Sequence, residues 1–235
     1  MNGYREGSDA ERTDPGPPAE RRIPGLDDPR AVDILTTEHW SLLSTRSLGY
    51  QEMFGRTTIF IAILSAGVVA LALLAQATDF RRTTLWVALM LIAVVLFIGI
   101  ATFVRSVVIN YEDARWVTGM NLLRQAYLKI VPELEPFFVA GHEPGDDRQS
   151  LGHGLPQRLS NLANSLTTTS GVVAALNSIL AGALAGDLGA LIGTGALMNA
   201  GIGAGVSLVS AALHVRYAAR FRRRHPPQAT GKSRE

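Results

Sequence analysis

Residues 182–205 read "GALAGDLGALIGTGALMNAGIGAG", with eight glycines in 24 positions and one acid, Asp187. Glycine clusters cradle phosphates, let helices approach closely, or loosen a linker, and the choice among these uses decides the fold. A dinucleotide-binding turn needs G-x-G-x-x-G between a strand and a helix. "GTGALM" puts Met198 where the third glycine belongs, and "GIGAGV" puts Val206 there. A P-loop needs a lysine directly after its last glycine, and no lysine lies between residues 130 and 231. The residues before the cluster read as an apolar helix. Phosphate binding is therefore not expected.

Small-xxx-small spacing fits better. Gly182/Gly186, Gly189/Gly193 and Gly201/Gly205 are each four apart, with Ala181, Ala185, Ala200, Ala204 and Ser207 widening those faces. In lipid, helices associate by close van der Waals contact, and glycine permits it. The stretch reads as two facing membrane helices joined by a turn at "GDLG". That turn places Asp187 in water, where it escapes the cost of about 2.5–3.5 kcal/mol for an acid at mid-membrane. Asn177 and Asn199 lie deeper and suit either hydrogen bonding between helices or an aqueous path.

Outward from this stretch, the charges are segregated. Hydrophobic residues make up 47% and charged residues 18% of the 235, below the roughly 25% charged of soluble domains. No charged side chain occurs in 57–78, 83–104 or 159–186, and none in 188–215 if His214 is neutral. A bilayer core of about 30 Å needs about 20 apolar residues at 1.5 Å each. Four spans are expected, at 57–77, 83–104, 168–186 and 190–214. The first two are rich in Leu, Val and Ile; the last two are diluted by Gly, Ala, Ser, Thr and Asn.

Orientation follows from the arginines. Of 22 basic residues, 20 lie in segments 1–56, 105–167 and 216–235, while the first interhelix turn holds Arg81 and Arg82 and the second holds none. The positive-inside rule then puts both termini in the cytoplasm. Residues 1–56 lack the basic n-region and short apolar h-region of a cleavable signal peptide, so the first span is expected to act as an uncleaved signal anchor. Lysine appears only at Lys129 and Lys232, a bias associated with GC-rich bacterial genomes, so the expected site is a bacterial inner membrane.

The rest of the chain divides by pattern. Segment 1–26 is rich in Pro, Gly and both charge signs and is expected to be disordered. In 27–56, Asp28 followed by Pro29 reads as a helix start. Val32, Leu35, Leu42, Leu43, Tyr50, Met53 and Phe54 gather on one face, interrupted by His39, Arg46 and Gly49, and Gly55 offers a bend before the hairpin at 57–104. In 105–139 the second helix continues, with Trp116, Met120, Leu123, Tyr127, Ile130 and Leu134 spaced 4-3-4-3-4 as a coiled-coil-like seam. Arg115, Arg124 and Lys129 point away from it, and Pro132 and Pro136 end it. The two cytoplasmic extensions are expected to pack on each other or on a second subunit. A polar loop, 140–157, leads into the Gly-rich hairpin 158–215. A helix begins near Pro156, with Leu159, Leu162 and Leu166 on its face. The basic tail 216–235 carries Arg216, Arg220, Arg222, Arg223 and Arg224, placed to contact anionic lipid headgroups at about 1 kcal/mol per charge.

No chemistry-bearing constellation stands out. His142, Glu143, Asp146, Asp147 and His153 sit in a Gly/Pro loop without ligand spacing, so no metal site is expected. The absence of cysteine excludes disulfides and thiolate catalysis. No Ser-His-Asp or paired-carboxylate pattern appears, and no enzyme, cofactor or nucleic-acid partner is expected. The fold expected is an all-α integral membrane protein, four transmembrane helices in two tight hairpins with cytoplasmic helical extensions. The activity expected is helix–helix association, with self-association and membrane lipid as partners; an oligomeric channel or pore is the alternative.

Two stretches carry a resemblance. "LTTEHWSLLSTRSLGYQEMFGRTTIFIAILSAGVVALALLAQ" and "NYEDARWVTGMNLLRQAYLKIVPELEPFF" resemble a group of bacterial, actinobacterial-type, multi-span membrane proteins. The layout of cytoplasmic helix, tight hairpin and long post-membrane helix, with "LLRQAY" holding Arg124 and Tyr127, is similar to SLATT-type two-span domains. This resemblance implies a membrane effector of bacterial conflict systems that forms pores or perturbs the bilayer after a nucleotide or partner signal. It implies no catalytic residues, and this chain adds a third and fourth span.

Overall fold

The computed structural model describes residues 25–78, 82–138 and 168–224. The readings made for 1–24, for the 140–157 loop with its histidines and acids, for the Pro156 helix start and for 225–235 lie outside these residues. Among the described residues the chain is helical: α1 (Ala31–Ala77), α2 (Arg82–Ile130), a 3-10 turn (Pro132–Phe137), α3 (Thr169–Leu191) and α4 (Ala196–Arg224). All four α-helices are long and apolar enough to cross a membrane. With 47 and 49 residues, α1 and α2 are about 70 Å long, more than twice a bilayer's hydrocarbon core of about 30 Å. Each therefore has an apolar half and a charged half.

Local chemistry sets the ends, not always where composition suggests. Asp28 does not cap α1. Its Oδ1 accepts from the Arg30 backbone N–H at 2.8 Å and its carboxylate holds the Arg30 guanidinium, so the helix starts at Ala31 with Arg30 as the cap residue. Gly55 lies inside an unbroken helix and makes no break there. At the other end, Pro132 has no N–H and forces Val131 out of helical geometry (ψ 86°), which stops α2 at Ile130. Leu134 falls in the 3-10 turn and is 42% exposed, so the seam ends one position earlier than its spacing suggests.

The turn in the glycine stretch also moves. The backbone N–H of Thr194 donates to the Gly189 carbonyl and that of Gly193 to the Ala190 carbonyl, with Gly193 at φ +84°. This pair of bonds is a Schellman motif, and the left-handed residue it requires is Gly193. The turn is therefore 192–195, not "GDLG". Gly186 and Asp187 lie inside α3, which runs five residues past the expected end. A helix stops where a left-handed residue and its carbonyl partners can form together, and an acid with flanking glycines does not by itself supply that. Arg82, at the start of α2, donates to the Leu191 carbonyl at 3.0 Å and satisfies one of the last acceptors of α3.

The helices form a row in chain order. Each packs along the next, α2 also touches α4, α1 touches α3, and α1 and α4 do not meet. Successive contacts run antiparallel: Arg46 with Asp113 and Glu52 with Arg105 between α1 and α2, then Asn110 with Ser170 and Arg82 with Leu191 between α2 and α3. The core lies where α1, α2 and α3 converge, around Phe60, Val95, Phe103, Val107, Val173 and Leu180.

Candidate functional site

Packing along α2 follows one heptad, and the facing stripe of α1 follows the same repeat except that four residues separate Met53 from Thr57 where three are called for. In α2 the positions Ala88, Ile92, Val95, Gly99, Thr102, Ser106, Ile109, Asp113, Trp116, Met120, Leu123, Tyr127 and Ile130 are all buried or half-buried. The Trp116–Ile130 seam is the last third of that stripe. In α1 the matching stripe is Leu35, His39, Leu42, Arg46, Gly49, Met53, Thr57 and Phe60. The three residues that interrupt the apolar face of α1 are therefore on the packed face. The His39 ring lies 6.0 Å from Tyr127, Arg46 pairs with Asp113 at 2.6 Å, and Gly49 sits under Trp116, whose Cζ3 would lie 2.9 Å from a Cβ placed there. By contrast Val32, Leu43 and Phe54, which share the apolar arc, are exposed. A heptad specifies position, and polar groups are tolerated at it when the partner supplies their bonds.

At the junction of charged and apolar halves, Glu52 takes a bidentate pair from Arg105 (2.9 and 2.7 Å) and a third bond from Arg56. Arg105, then Arg56, hold the Glu52 carboxyl down at about 2, well below the ordinary carboxylate range. Tyr50 donates to Asp113 at 3.1 Å beside Arg46. These pairs are about one-third exposed, so each contributes only about 0.5–1 kcal/mol, but together they fix the register of α1 on α2.

The pairing of α3 with α4 brings the two backbones close at glycines. A Cβ at Gly182 would come 2.0 Å from Ser207 Oγ and 2.5 Å from the Gly203 carbonyl oxygen; one at Gly189 would come 2.5 Å from Asn199 Oδ1. Gly186 approaches the Asn199 carbonyl, at 3.5 Å from a Cβ built there. Thr194 and Asn199 bond to each other and to the Gly189 and Thr194 carbonyls, tying the turn. Gly201 and Gly205 are not part of this contact. Both look onto open space, and the α4 glycine that meets α3 is Gly203, two residues from each. A shift of two residues turns a helical position by about 200°, which explains how the stretch supplies glycines to both faces.

One polar group is stranded inside. Asn177 is 0% exposed, and among the described residues neither its Oδ1 nor its Nδ2 has a hydrogen-bond partner. It presses on Gly99 of α2, where a Cβ would fall 1.9 Å from Oδ1 and 2.8 Å from Phe60. The buried hydroxyls nearby bond within their own helices, Thr102 to the Ile98 carbonyl, Ser106 to the Thr102 carbonyl and Ser178 to the Ala174 carbonyl. An unsatisfied buried amide costs about 1–3 kcal/mol per group.

Arg216, Arg220, Arg222, Arg223 and Arg224 are all exposed along the last turns of α4. Phe221 stacks edge-on against Tyr111 at 5.7 Å, and His214 against Phe103 at 4.6 Å. That end of α4 thus lies level with residues 103–111 of α2, beside the Glu52–Arg105 junction. An open groove of about 470 Å³ near Asp33, Glu38 and Leu123 brings no convergent polar set together. Among the described residues no cluster of three or more His, Asp or Glu could hold a metal ion. Comparison of the chain with protein-family models, curated proteins and solved structures finds no match in any of the three.

Proposed function

We propose that this chain is a non-enzymatic, multi-pass protein of a bacterial inner membrane, both termini cytoplasmic, that works by association of its membrane helices. The observation that carries this reading is α4. None of its 29 residues is buried, and its outward face sets Gly201 and Gly205 four apart with open space at both. Leu197, Leu208 and Val209 flank that face and are exposed. The same spacing that lets α3 approach α4 is repeated on the opposite side, where a second copy of the chain fits. In lipid such a face gains stability only by close contact with another helix. The exposed arginines at the end of α4 hold anionic headgroups and keep that end cytoplasmic.

The test is the oligomeric state of detergent-purified protein by light scattering. The wild type is expected as a dimer or larger, and Gly201→Leu with Gly205→Leu as a monomer of unchanged helix content. A wild-type monomer, or a double variant that stays oligomeric, overturns the reading. Orientation is checked by reporter fusions at residue 80, between α1 and α2, and in the 192–195 turn, both of which are expected outside the cytoplasm.

A pore-type membrane effector is the second reading. The layout shared with SLATT-type domains suggests it, and the stranded amide of Asn177 favours it.

A further inference from the structure

Shifting the packed stripe of α1 by one residue turns it by about 100° and gives a second stripe on the same helix. It runs through 36, 40, 43, 47, 50 and 54 and then, past the same extra residue, through 58, 61, 65, 68 and 72. Every member is exposed except Tyr50, which is half-buried, and none is charged. The charged half of α1 contributes Trp40, 64% exposed, with Leu43 and Phe54; the apolar half contributes Ile61 and Val68. The stripe stops at Thr36, since the position before it is Asp33. This face lies at an end of the row of helices: α1 packs on α2, touches α3 and does not meet α4.

We propose that this stripe pairs with the same stripe of a second copy, α1 parallel to α1, from residue 36 to residue 72. Together with the outward face of α4, it gives each copy two neighbours, one at each end of its row. The α1 contact does not rest on association through α4; the extended assembly rests on both.

The boundary that the stripe crosses selects its occupant. A soluble helix would cover only the charged half of α1, and lipid only the apolar half. A second α1, held by the same span, crosses the boundary at the same height and presents uncharged groups at every level. Copies inserted in one orientation are parallel, so each position of the stripe meets itself and no like charges are opposed. The flanks agree: Thr37, Ser44 and Gln51 on one side are uncharged, and Arg46 on the other is already held by Asp113. In water, covering Trp40 and Leu43 supplies the gain. In lipid, Ser65 and Ala72 let the two backbones approach.

Symmetry then sets the shape of the assembly. Each contact relates two copies by a two-fold axis along the membrane normal. Two parallel two-fold axes, one at α1 and one at α4, combine into a translation, so the copies form an open row in the membrane plane and not a closed ring. Each half of the stripe is shorter than the roughly three to four heptads that sustain a coiled coil. The α1 contact is therefore expected in membranes, where both halves are held, and separates on dilution into detergent.

The experiment oxidises native membranes containing the full chain with introduced cysteines, since it has none of its own. Leu43→Cys is expected to give a disulfide-linked dimer. Thr45→Cys, also exposed but about 200° further round the helix, is expected to stay monomeric. The Leu43→Cys dimer should persist when Gly201→Leu and Gly205→Leu are added. Adding Trp40→Glu sets like charges face to face and should cut its yield roughly tenfold, while leaving the Gly205→Cys dimer unchanged, which shows that the variant still folds. Leu43→Cys and Gly205→Cys in one chain should give a ladder of trimers, tetramers and larger species. Equal yields at 43 and 45, or a yield at 43 that Trp40→Glu does not lower, overturn the α1 contact. A dimer at 43 with a monomer at 205 overturns association through α4 and the row, and leaves the α1 contact standing. A double-cysteine chain that stops at the dimer, or at one closed species, overturns the row.

Discussion

The two helix pairs solve the same packing problem with opposite means. Along α1 and α2, large side chains interdigitate and ion pairs set the register: Trp116 over Gly49, Leu42 over Gly119, Arg46 with Asp113, Glu52 with Arg105. Along α3 and α4, almost nothing projects, and backbones meet through Gly182, Gly203 and Ser207. The difference is the one expected if α3 and α4 lie in lipid and the charged halves of α1 and α2 in water. The charged halves of α1 and α2 can draw on the hydrophobic effect and on Coulomb pairing at a wet surface. A helix pair in lipid has only contact distance and hydrogen bonds to work with. The first arrangement should therefore tolerate loss of single groups, and the second should fail when one methyl group is added.

The largest effect is expected at that second contact. Gly182→Leu drives a branched side chain into Ser207 and the Gly203 backbone, and should lower stability by about 3 kcal/mol, read as a drop in the thermal midpoint in detergent. The same change at Gly201, two residues from Gly203 on the opposite side, meets open space within the chain and should lower the midpoint only by what the lost association between copies contributed. Equal losses at the two positions would mean that both glycines are packed. Trp116→Ala removes the largest group of the first contact, which is half-exposed, so about 2 kcal/mol is expected. A loss as great as that at Gly182 would break the contrast.

Smaller effects sharpen the ion-pair side. In a double-mutant cycle, Glu52→Gln and Arg105→Ala should couple by about 0.5–1 kcal/mol. The pH dependence has a defined sign. The Glu52 carboxyl is held at about 2 in the folded protein, against about 4.3 when unfolded. Its contribution is therefore complete above about pH 5 and fades as the pH falls toward 2, amounting to about 1 kcal/mol once the partial exposure of the pair is allowed for. The difference in stability between wild type and Glu52→Gln should shrink over that interval; a constant difference would remove the pair from the account.

Much of the architecture is legible in the residues because length and apolarity are strong signals. The four apolar stretches stand where long charge-free runs stand, and the Trp116–Ile130 spacing marks the α2 face that meets α1. Register was harder to read. Ranking positions by apolarity favours Val32, Leu43 and Phe54 and discounts His39, Arg46 and Gly49, although the second set does the packing. Carrying the Trp116 spacing backward through Asp113, Ser106, Thr102 and Gly99 would have exposed the polar half of the stripe. The glycine stretch misled for a related reason. Glycines recur on both faces of α4, so pairs four apart do not say which pair meets α3. The turn depends on a left-handed residue that several glycines could supply. Nothing in the sequence pairs Arg82 with the carbonyl of Leu191, a contact across more than a hundred residues.

Single-cysteine cross-linking tests the central claim most directly, since the chain has no cysteine of its own. Oxidation of native membranes containing Gly205→Cys is expected to give a disulfide-linked dimer, while Phe97→Cys, exposed on α2, stays monomeric. A monomer at residue 205, or a dimer of equal yield at residue 97, would contradict association through the outward face of α4.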